Sequence, residues 1–266
     1  MANRTLITLG ALGAAALLDA FVLEPRWLDI THHGVNVERL PPELSGYKVA
    51  HVSDVHLRRL TGLHQRVAKA IDRFDADLVV ITGDMIDHKS DPELLAEFCD
   101  WLTWPGRRVV AIPGNWEYRS KLDIGQLRAL YEAHDVEFLV DEYTLIDPGV
   151  LVVGTNDGST DRADLTAALA SLPDSKLRLL LTHAPGLLDS YPEDGPQFEL
   201  TLCGHTHGGQ ITLAGLAPRL PEGAGSYVSG FYQTNAGRTY VSRGLGTITI
   251  PARLFCRPEL ALFEFR

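Results

Sequence analysis

Asp77-Leu78-Val79-Val80-Ile81-Thr82-Gly83-Asp84 is a short, β-branched, apolar run that stops at a glycine and a carboxylate. A strand buried on both faces reads this way, and such strands belong to parallel sheets covered by helices. Four more stretches repeat the pattern. Tyr47-Lys48-Val49-Ala50-His51-Val52-Ser53 runs into Asp54, and Arg108-Val109-Val110-Ala111-Ile112-Pro113 into Gly114-Asn115. Leu177-Arg178-Leu179-Leu180-Leu181-Thr182 delivers His183, and Phe198-Glu199-Leu200-Thr201-Leu202-Cys203 delivers Gly204-His205. Helical spacing separates the first of these runs. Leu63, Val67, Ala70, Ile71 and Phe74 mark a helix over Gly62 to Phe74, and Asp91-Pro92-Glu93 opens another to about Leu102, with proline in its tolerated first turn. Asp123 to Ala133 and Asp161 to Ala170 predict two more. The second half has shorter strands joined by turns, as at Asp147-Pro148-Gly149 and Asn235-Ala236-Gly237. Trp27 to Val37 alternates as a strand at the edge of the first sheet would. The expected fold is α/β, two facing mixed β-sheets flanked by helices.

In open α/β sheets the ligand crevice lies outside the carboxyl ends of the strands. The five strand ends here carry Asp54, His56, Asp84, Asn115, His183, His205 and His207. Oxygen and imidazole donors without a thiolate suit divalent Mn, Fe, Zn or Mg, and one shared carboxylate can bridge a pair. A pair of such ions activates water for attack on a phosphorus ester.

Asp54-Val55-His56, Gly83-Asp84, Gly114-Asn115, His183 and Gly204-His205-Thr206-His207 together resemble the D-x-H, G-D, G-N-H-(D/E), H and G-H-x-H blocks of the calcineurin-like metallophosphoesterases. The resemblance runs over roughly residues 48 to 250. It implies a four-layer sandwich in which Asp54, His56, Asp84 and His207 hold one metal, and Asp84, Asn115, His183 and His205 the other. It also implies a hydroxide between the ions as nucleophile, so that Asp54, Asp84, Asn115 and His205 form the catalytic centre.

One position departs from the pattern. Where the family carries a histidine after the asparagine, this chain reads Gly114-Asn115-Trp116-Glu117. The family histidine is thought to protonate the leaving oxygen, which needs a proton that titrates near the operating pH, whereas indole has only a non-titrating N–H. Either Glu117 or another group is then the acid, or the leaving group needs none. A phosphate expelled from a pyrophosphate leaves far more readily than an alkoxide, so the substitution favours a pyrophosphate or an otherwise activated ester. Trp116 and Asn115 are expected beside the substrate, whereas Trp101 and Trp104 read as core. Arg219, Arg238 and Arg243 are candidates to hold a second phosphate, with Arg243, at a strand-end turn, foremost.

Gly204-His205-Thr206-His207-Gly208-Gly209-Gln210 and Tyr240-Val241-Ser242-Arg243-Gly244-Leu245-Gly246, together with a hydrophobic start, resemble a membrane-associated phosphodiesterase branch related to the UDP-2,3-diacylglucosamine pyrophosphatases of lipid A synthesis. The implied substrate is a phosphodiester or pyrophosphate of lipid or envelope origin, such as UDP-2,3-diacylglucosamine. The alternatives are a phosphodiesterase or phosphomonoesterase on glycerophospho-compounds and, in another class, an inactive metal-binding scaffold. Retention of all seven ligand side chains counts against the scaffold.

Thr5 to Leu18 is uncharged, and Ala20 to Leu23 continues it beyond Asp19. This length falls between a signal-peptide core and the ~20 residues of a spanning helix. Residues 1–24 are accordingly read as a signal or anchor and 25–266 as one catalytic domain. Arg4 before the segment and Glu24 after it favour export of the domain, while a UDP-linked substrate requires the cytoplasmic face. A membrane surface is the expected partner in either case. Leu213 to Pro221, followed by Gly225 to Tyr232, is apolar and rich in glycine and proline, as a lipid-facing or substrate-capping loop would be.

The net charge of −10 argues against nucleic acid as a partner, since such proteins gather lysine and arginine against phosphates. Cys99, Cys203 and Cys256 have neither the spacing of a zinc site nor that of a disulfide framework. His32 and His33 read as surface residues, and His51, His64, His88 and His134 as bystanders.

Overall fold

A computed structural model describes residue 10 and residues 12–146, 149–213, 216–217 and 219–266. Asp147 and Pro148 of the expected turn, Ala214, Gly215 and Pro218 of the apolar loop, and residues 1–9 and 11 lie outside the described residues.

The first six-stranded sheet contains β1 (Asp29–Val35), β2 (Lys48–Val52), β3 (Leu78–Ile81), β4 (Arg108–Ala111), β5 (Glu137–Phe138) and β12 (Glu259–Phe265), in the order β1-β12-β2-β3-β4-β5. The second contains β6 (Glu142–Ile146), β7 (Val150–Gly154), β8 (Leu177–Thr182), β9 (Phe198–Cys203), β10 (Gly230–Thr234) and β11 (Gly237–Val241), in the order β10-β11-β9-β8-β7-β6. Both are mixed. The strands β2, β3 and β4 run parallel, as do β7, β8 and β9, while β12 is antiparallel to β2 and β6 to β7. The expected edge strand is β1, and β10 and β11 form the hairpin around Asn235-Ala236-Gly237.

Strands apolar on both faces need cover on both sides, and the layers supply it. Val49, Val80 and Val110 of the first sheet meet Val152, Leu179 and Leu200 of the second in a shared core. Over the outer face of the first sheet lie α1 (Gly62–Phe74), α2 (Pro92–Leu102) and α3 (Ile124–Ala133). Thr61 caps α1 in a capping box with His64, Asp91 caps α2, and Asp123 forms a second capping box with Gln126 on α3. Over the second sheet lie α4 (Leu165–Ala168) and a 3₁₀ segment at Pro185–Ser190.

Three expectations are corrected. The helix expected over Asp161 to Ala170 shrinks to α4, because Asp157 draws the preceding residues into a turn, accepting from the Ser159 amide while its carbonyl accepts from the Arg162 and Ala163 amides. Trp104, expected in the core, is 68% exposed beyond the end of α2, while Trp101 packs against Phe98. His33, expected on the surface, is part-buried in a ring cluster with Phe231, Tyr240 and Phe263. Among the described residues, no helix is long and apolar enough to cross a membrane.

His51 sits fully buried in β2, with Nε2 at 2.8 Å from the Thr82 hydroxyl and Nδ1 unpartnered. Burial pushes its pKa from 6.5 down to about 3, against a weaker pull from Glu259. The unfolded chain therefore binds a proton at this position at higher pH than the folded one. The stability it confers is complete above about pH 6.5 and is lost as pH falls toward 3, at up to ~1.4 kcal/mol per unit. Urea unfolding at pH 7 and pH 5 is expected to show a smaller acid loss for His51→Leu than for the wild-type chain, by on the order of 2 kcal/mol.

Candidate metal centre

Asp54, Asp84 and Asn115 follow β2, β3 and β4 of the first sheet, and His183 and His205 follow β8 and β9 of the second. The carboxyl ends of parallel strands from both sheets thus open onto one crevice, as strand polarity requires. Ligands are presented at this edge because the chain turns sharply there. Asp54, His56, Asp84, His205 and His207 all take positive φ, between 46° and 71°, a region that costs any side chain other than glycine's and is held where function demands it. The turns also come very close together. A Cβ on Gly83, itself at φ +85°, would stand 2.4 Å from the Gly114 nitrogen, and one on Gly114 would stand 2.4 Å from Asp84 Oδ1 and 2.8 Å from His183 Cε1.

All seven expected ligand residues are brought together, and all are buried. Asp54, His56 and His207 form one cluster and Asp84, His183 and His205 the other. In the first, His56 Nε2 lies 3.1 Å from His207 Nε2, and His207 Nε2 lies 3.6 Å from Asp54 Oδ1. In the second, His183 Nε2 lies 3.1 Å from His205 Nδ1 and 3.3 Å from Asn115 Oδ1. Asp84 Oδ2 reaches both, at 3.7 Å from His56 and 3.3 Å from His183.

Neighbouring groups fix which nitrogen is free. His183 Nδ1 donates to the Thr82 carbonyl at 2.7 Å and His205 Nε2 to the Glu222 carbonyl at 2.7 Å. Their lone pairs therefore lie on the two nitrogens that face each other, an arrangement that repels unless a proton or a cation stands between them. Asp54 is oriented by the Ser53 hydroxyl at 2.6 Å and the His205 amide at 3.0 Å, and Asp84 Oδ1 by the Trp116 amide at 2.8 Å. The donor set of the two clusters suits divalent cations.

Burial and neighbouring charges oppose one another across the two clusters. Burial would lower His183, but Asp84 and Asp54 beside it raise it to about 10. Burial would raise Asp84, yet His183, His56 and His205 hold it below the usual carboxylate range. Burial raises Asp54 and depresses His56, His205 and His207, keeping the last three rings neutral and ready to ligate.

Glu117 and Arg243 are placed differently from their expected roles. Burial and the nearby Asp84 lift Glu117 to about 7, a value that would suit an acid. Its carboxylate, however, is fully buried and accepts from the amides of Asp84 at 2.9 Å, Met85 at 2.7 Å and Gly114 at 2.8 Å. It ties the two ligand turns together and offers no oxygen to a substrate. Arg243 is engaged by Glu259 at 3.1 Å and Asp29 at 2.8 Å, so its charge is spent behind the site. Arg238 lies over Phe231, 3.9 Å from its ring.

A cavity of about 760 Å³ adjoins the ligands, with Trp116, Arg119, Ile211, Arg219, Leu220 and Ile250 in its walls. Trp116 stands edge-on to His56, with ring centroids 5.8 Å apart. Sequence reasoning passed over two arginines. Arg119 ends the 3₁₀ turn that follows Trp116. Arg253, wholly buried, donates to the carbonyls of Arg243, Gly244, Gly246 and Cys256 and so braces the 243–256 segment, whose Gly246 amide bonds the Asp54 carbonyl. Both sit in irregular stretches with no periodicity to mark them.

Residues 47–209 match the model of the family described as calcineurin-like phosphoesterase. The chain is 29% identical to the uncharacterized metallophosphoesterase YkuE of Bacillus subtilis over 97% of its own length and 94% of that protein's. It is 28% identical to a bovine transmembrane protein with metallophosphoesterase domain, across 87% of this chain and 55% of that longer one. Among solved structures, protein TT1561 of Thermus thermophilus superposes with a TM-score of 0.50 at 15% identity, covering 76% of this chain and 91% of that one, a likeness of fold.

Proposed function

The chain belongs to the calcineurin-like phosphoesterase family, and from that premise we propose that it is a two-metal hydrolase of a phosphodiester or pyrophosphate bond in a lipid- or envelope-linked substrate such as UDP-2,3-diacylglucosamine. The observation that carries the chemistry is the pair of ligand clusters meeting at Asp84. Asp54, His56, Asp84 and His207 would hold one divalent ion, and Asp84, Asn115, His183 and His205 the other. Such a pair, when bound, supplies Lewis acidity and an activated water.

The protein's own groups do the rest. Ser53, Thr82 and the Glu222 carbonyl fix the orientation of the ligands, the buried turns keep bulk water from them, and Trp116 walls the substrate side. An apolar margin supports the lipid reading. Leu213, Leu216, Ile250 and Phe255 are all exposed, and the segment carrying Phe255 is bonded to the amino-terminal one through Glu24 and through the Ala20 carbonyl. Leu12, Leu17, Leu18, Phe21, Val22 and Leu23 of the amino-terminal segment are exposed as well. Clustered exposed apolar side chains are a mark of contact with protein or membrane.

Turnover of bis(p-nitrophenyl) phosphate with added Mn²⁺, Zn²⁺, Fe²⁺ or Mg²⁺ tests the hydrolase reading, and no turnover with any of them overturns it. Hydrolysis of UDP-2,3-diacylglucosamine in preference to glycerophosphodiesters tests the substrate. Trp116 bears on the chemistry of departure. Rates over a series of aryl phosphodiesters are expected to fall steeply as the leaving phenol becomes more basic. Trp116→His is expected to flatten that slope and to accelerate the poorest leaving groups by roughly tenfold or more.

A further inference from the structure

Resting on the hydrolase reading above, we propose that Arg119, laid over Trp116, binds a second phosphate beside the scissile bond and thereby selects diphosphate diesters. Arg119 is exposed, and its guanidinium carbon lies 5.0 Å from the centroid of the Trp116 ring. The two residues share the cavity with Asp84, Asn115 and His207. Several arginines elsewhere in the chain are paired with carboxylates. Arg58 pairs with Asp87, Arg107 with Asp72, Arg128 with Glu142 and Arg243 with Glu259. Among the described residues, the Arg119 guanidinium has no such carboxylate and no carbonyl within hydrogen-bond distance. A cation–π contact with the indole places the guanidinium over the cavity and leaves its N–H groups available, as arginine needs to grip phosphate.

The residue beneath it gives the reason for a cation at this point. Trp116 has no proton to release to a leaving oxygen, so the departing group must carry its own charge away. An alkoxide does this badly and a phosphate does it well. In the reaction, the oxygen of water bonds to the attacked phosphorus and the bridging P–O bond breaks. The electron pair of that bond leaves with the second phosphate. One hydrogen of the water stays on the attacked phosphate as its new hydroxyl, and the other is released as a proton. Arg119 neutralises the charge that gathers on the departing phosphate, the task a general acid would otherwise perform. Besides Asp84, His205 and His207, the other ionisable side chains of the cavity wall are Arg219 and Glu222, on the segment that follows the apolar loop.

The test compares P¹,P²-diphenyl diphosphate with bis(p-nitrophenyl) phosphate on the metal-loaded full chain. Arg119→Met is expected to lower the ratio of kcat/KM for the diphosphate over the diester about 30-fold, with part of the loss in kcat, and Arg119→Lys to restore most of it. An unchanged ratio in Arg119→Met overturns the proposal, as does a wild-type protein that cleaves the diester and leaves the diphosphate intact. A wild-type protein that cleaves neither removes the hydrolase reading itself, and the proposal with it.

Discussion

Asp84→Ala is expected to lower metal-dependent hydrolysis of bis(p-nitrophenyl) phosphate by at least about a thousandfold, the equivalent of roughly 4 kcal/mol of lost transition-state stabilisation. Asp84 lies within reach of ligands from both clusters, through His56 and His183. Its removal strips both candidate cation sites of a carboxylate and leaves His183 without the group it faces at 3.3 Å. Metal analysis after gel filtration should show the loss directly, with the variant retaining at most one ion per chain where the wild type is expected to hold a pair. A variant that keeps both ions and most of its rate would sink the shared-carboxylate model. Asp84→Asn should fall nearly as far, because an amide keeps the shape and the Trp116 contact but not the charge.

Glu117→Ala is expected to be the most destabilising single change near the site. Three buried amides, those of Asp84, Met85 and Gly114, lose their acceptor at once. At about 1–3 kcal/mol for each orphaned buried group, partly offset by entering water, the loss is roughly 3–6 kcal/mol, and the melting temperature should fall by on the order of 10 °C or more. Thermal unfolding followed by circular dichroism checks this. Activity should decline with stability, since the turns bearing Asp84 and Asn115 are the ones released. A catalytic acid would behave in the opposite way, giving a variant that melts like the wild type while the alkaline limb of its rate profile moves.

The strands and their polar tips were legible because both follow from local rules. A β-branched apolar run of six residues closing on glycine has few other structures open to it, and a metal ligand at the end of such a run points to the carboxyl edge of a sheet. Trp116 was informative for the same reason, since its neighbour Asn115 fixed where it must stand. What could not be read was long-range charge neutralisation. Arg243 looked available until Glu259 and Asp29, distant in the chain, closed on it. Glu117 looked acidic and near the chemistry, and only the fold shows that backbone amides take up its carboxylate. Arg119 escaped notice because its significance is an absence of partners, which no single stretch of sequence displays. The helix expected over Asp161 to Ala170 failed for a local reason, the competing turn built by Asp157.

The cation ligands and the cavity walls come from different parts of the chain. The candidate ligands stand at the tips of β2, β3, β4, β8 and β9 and on the short turns that follow, whereas much of the wall comes from Ile211, Arg219 to Glu222 and Ile248 to Ile250. Selection can therefore rebuild one without retuning the other. Lengthening or recutting those stretches would change which molecules are admitted while the hydrolytic apparatus stays as it is, so descendants of one ancestor could diversify in diet long before they diverged in chemistry.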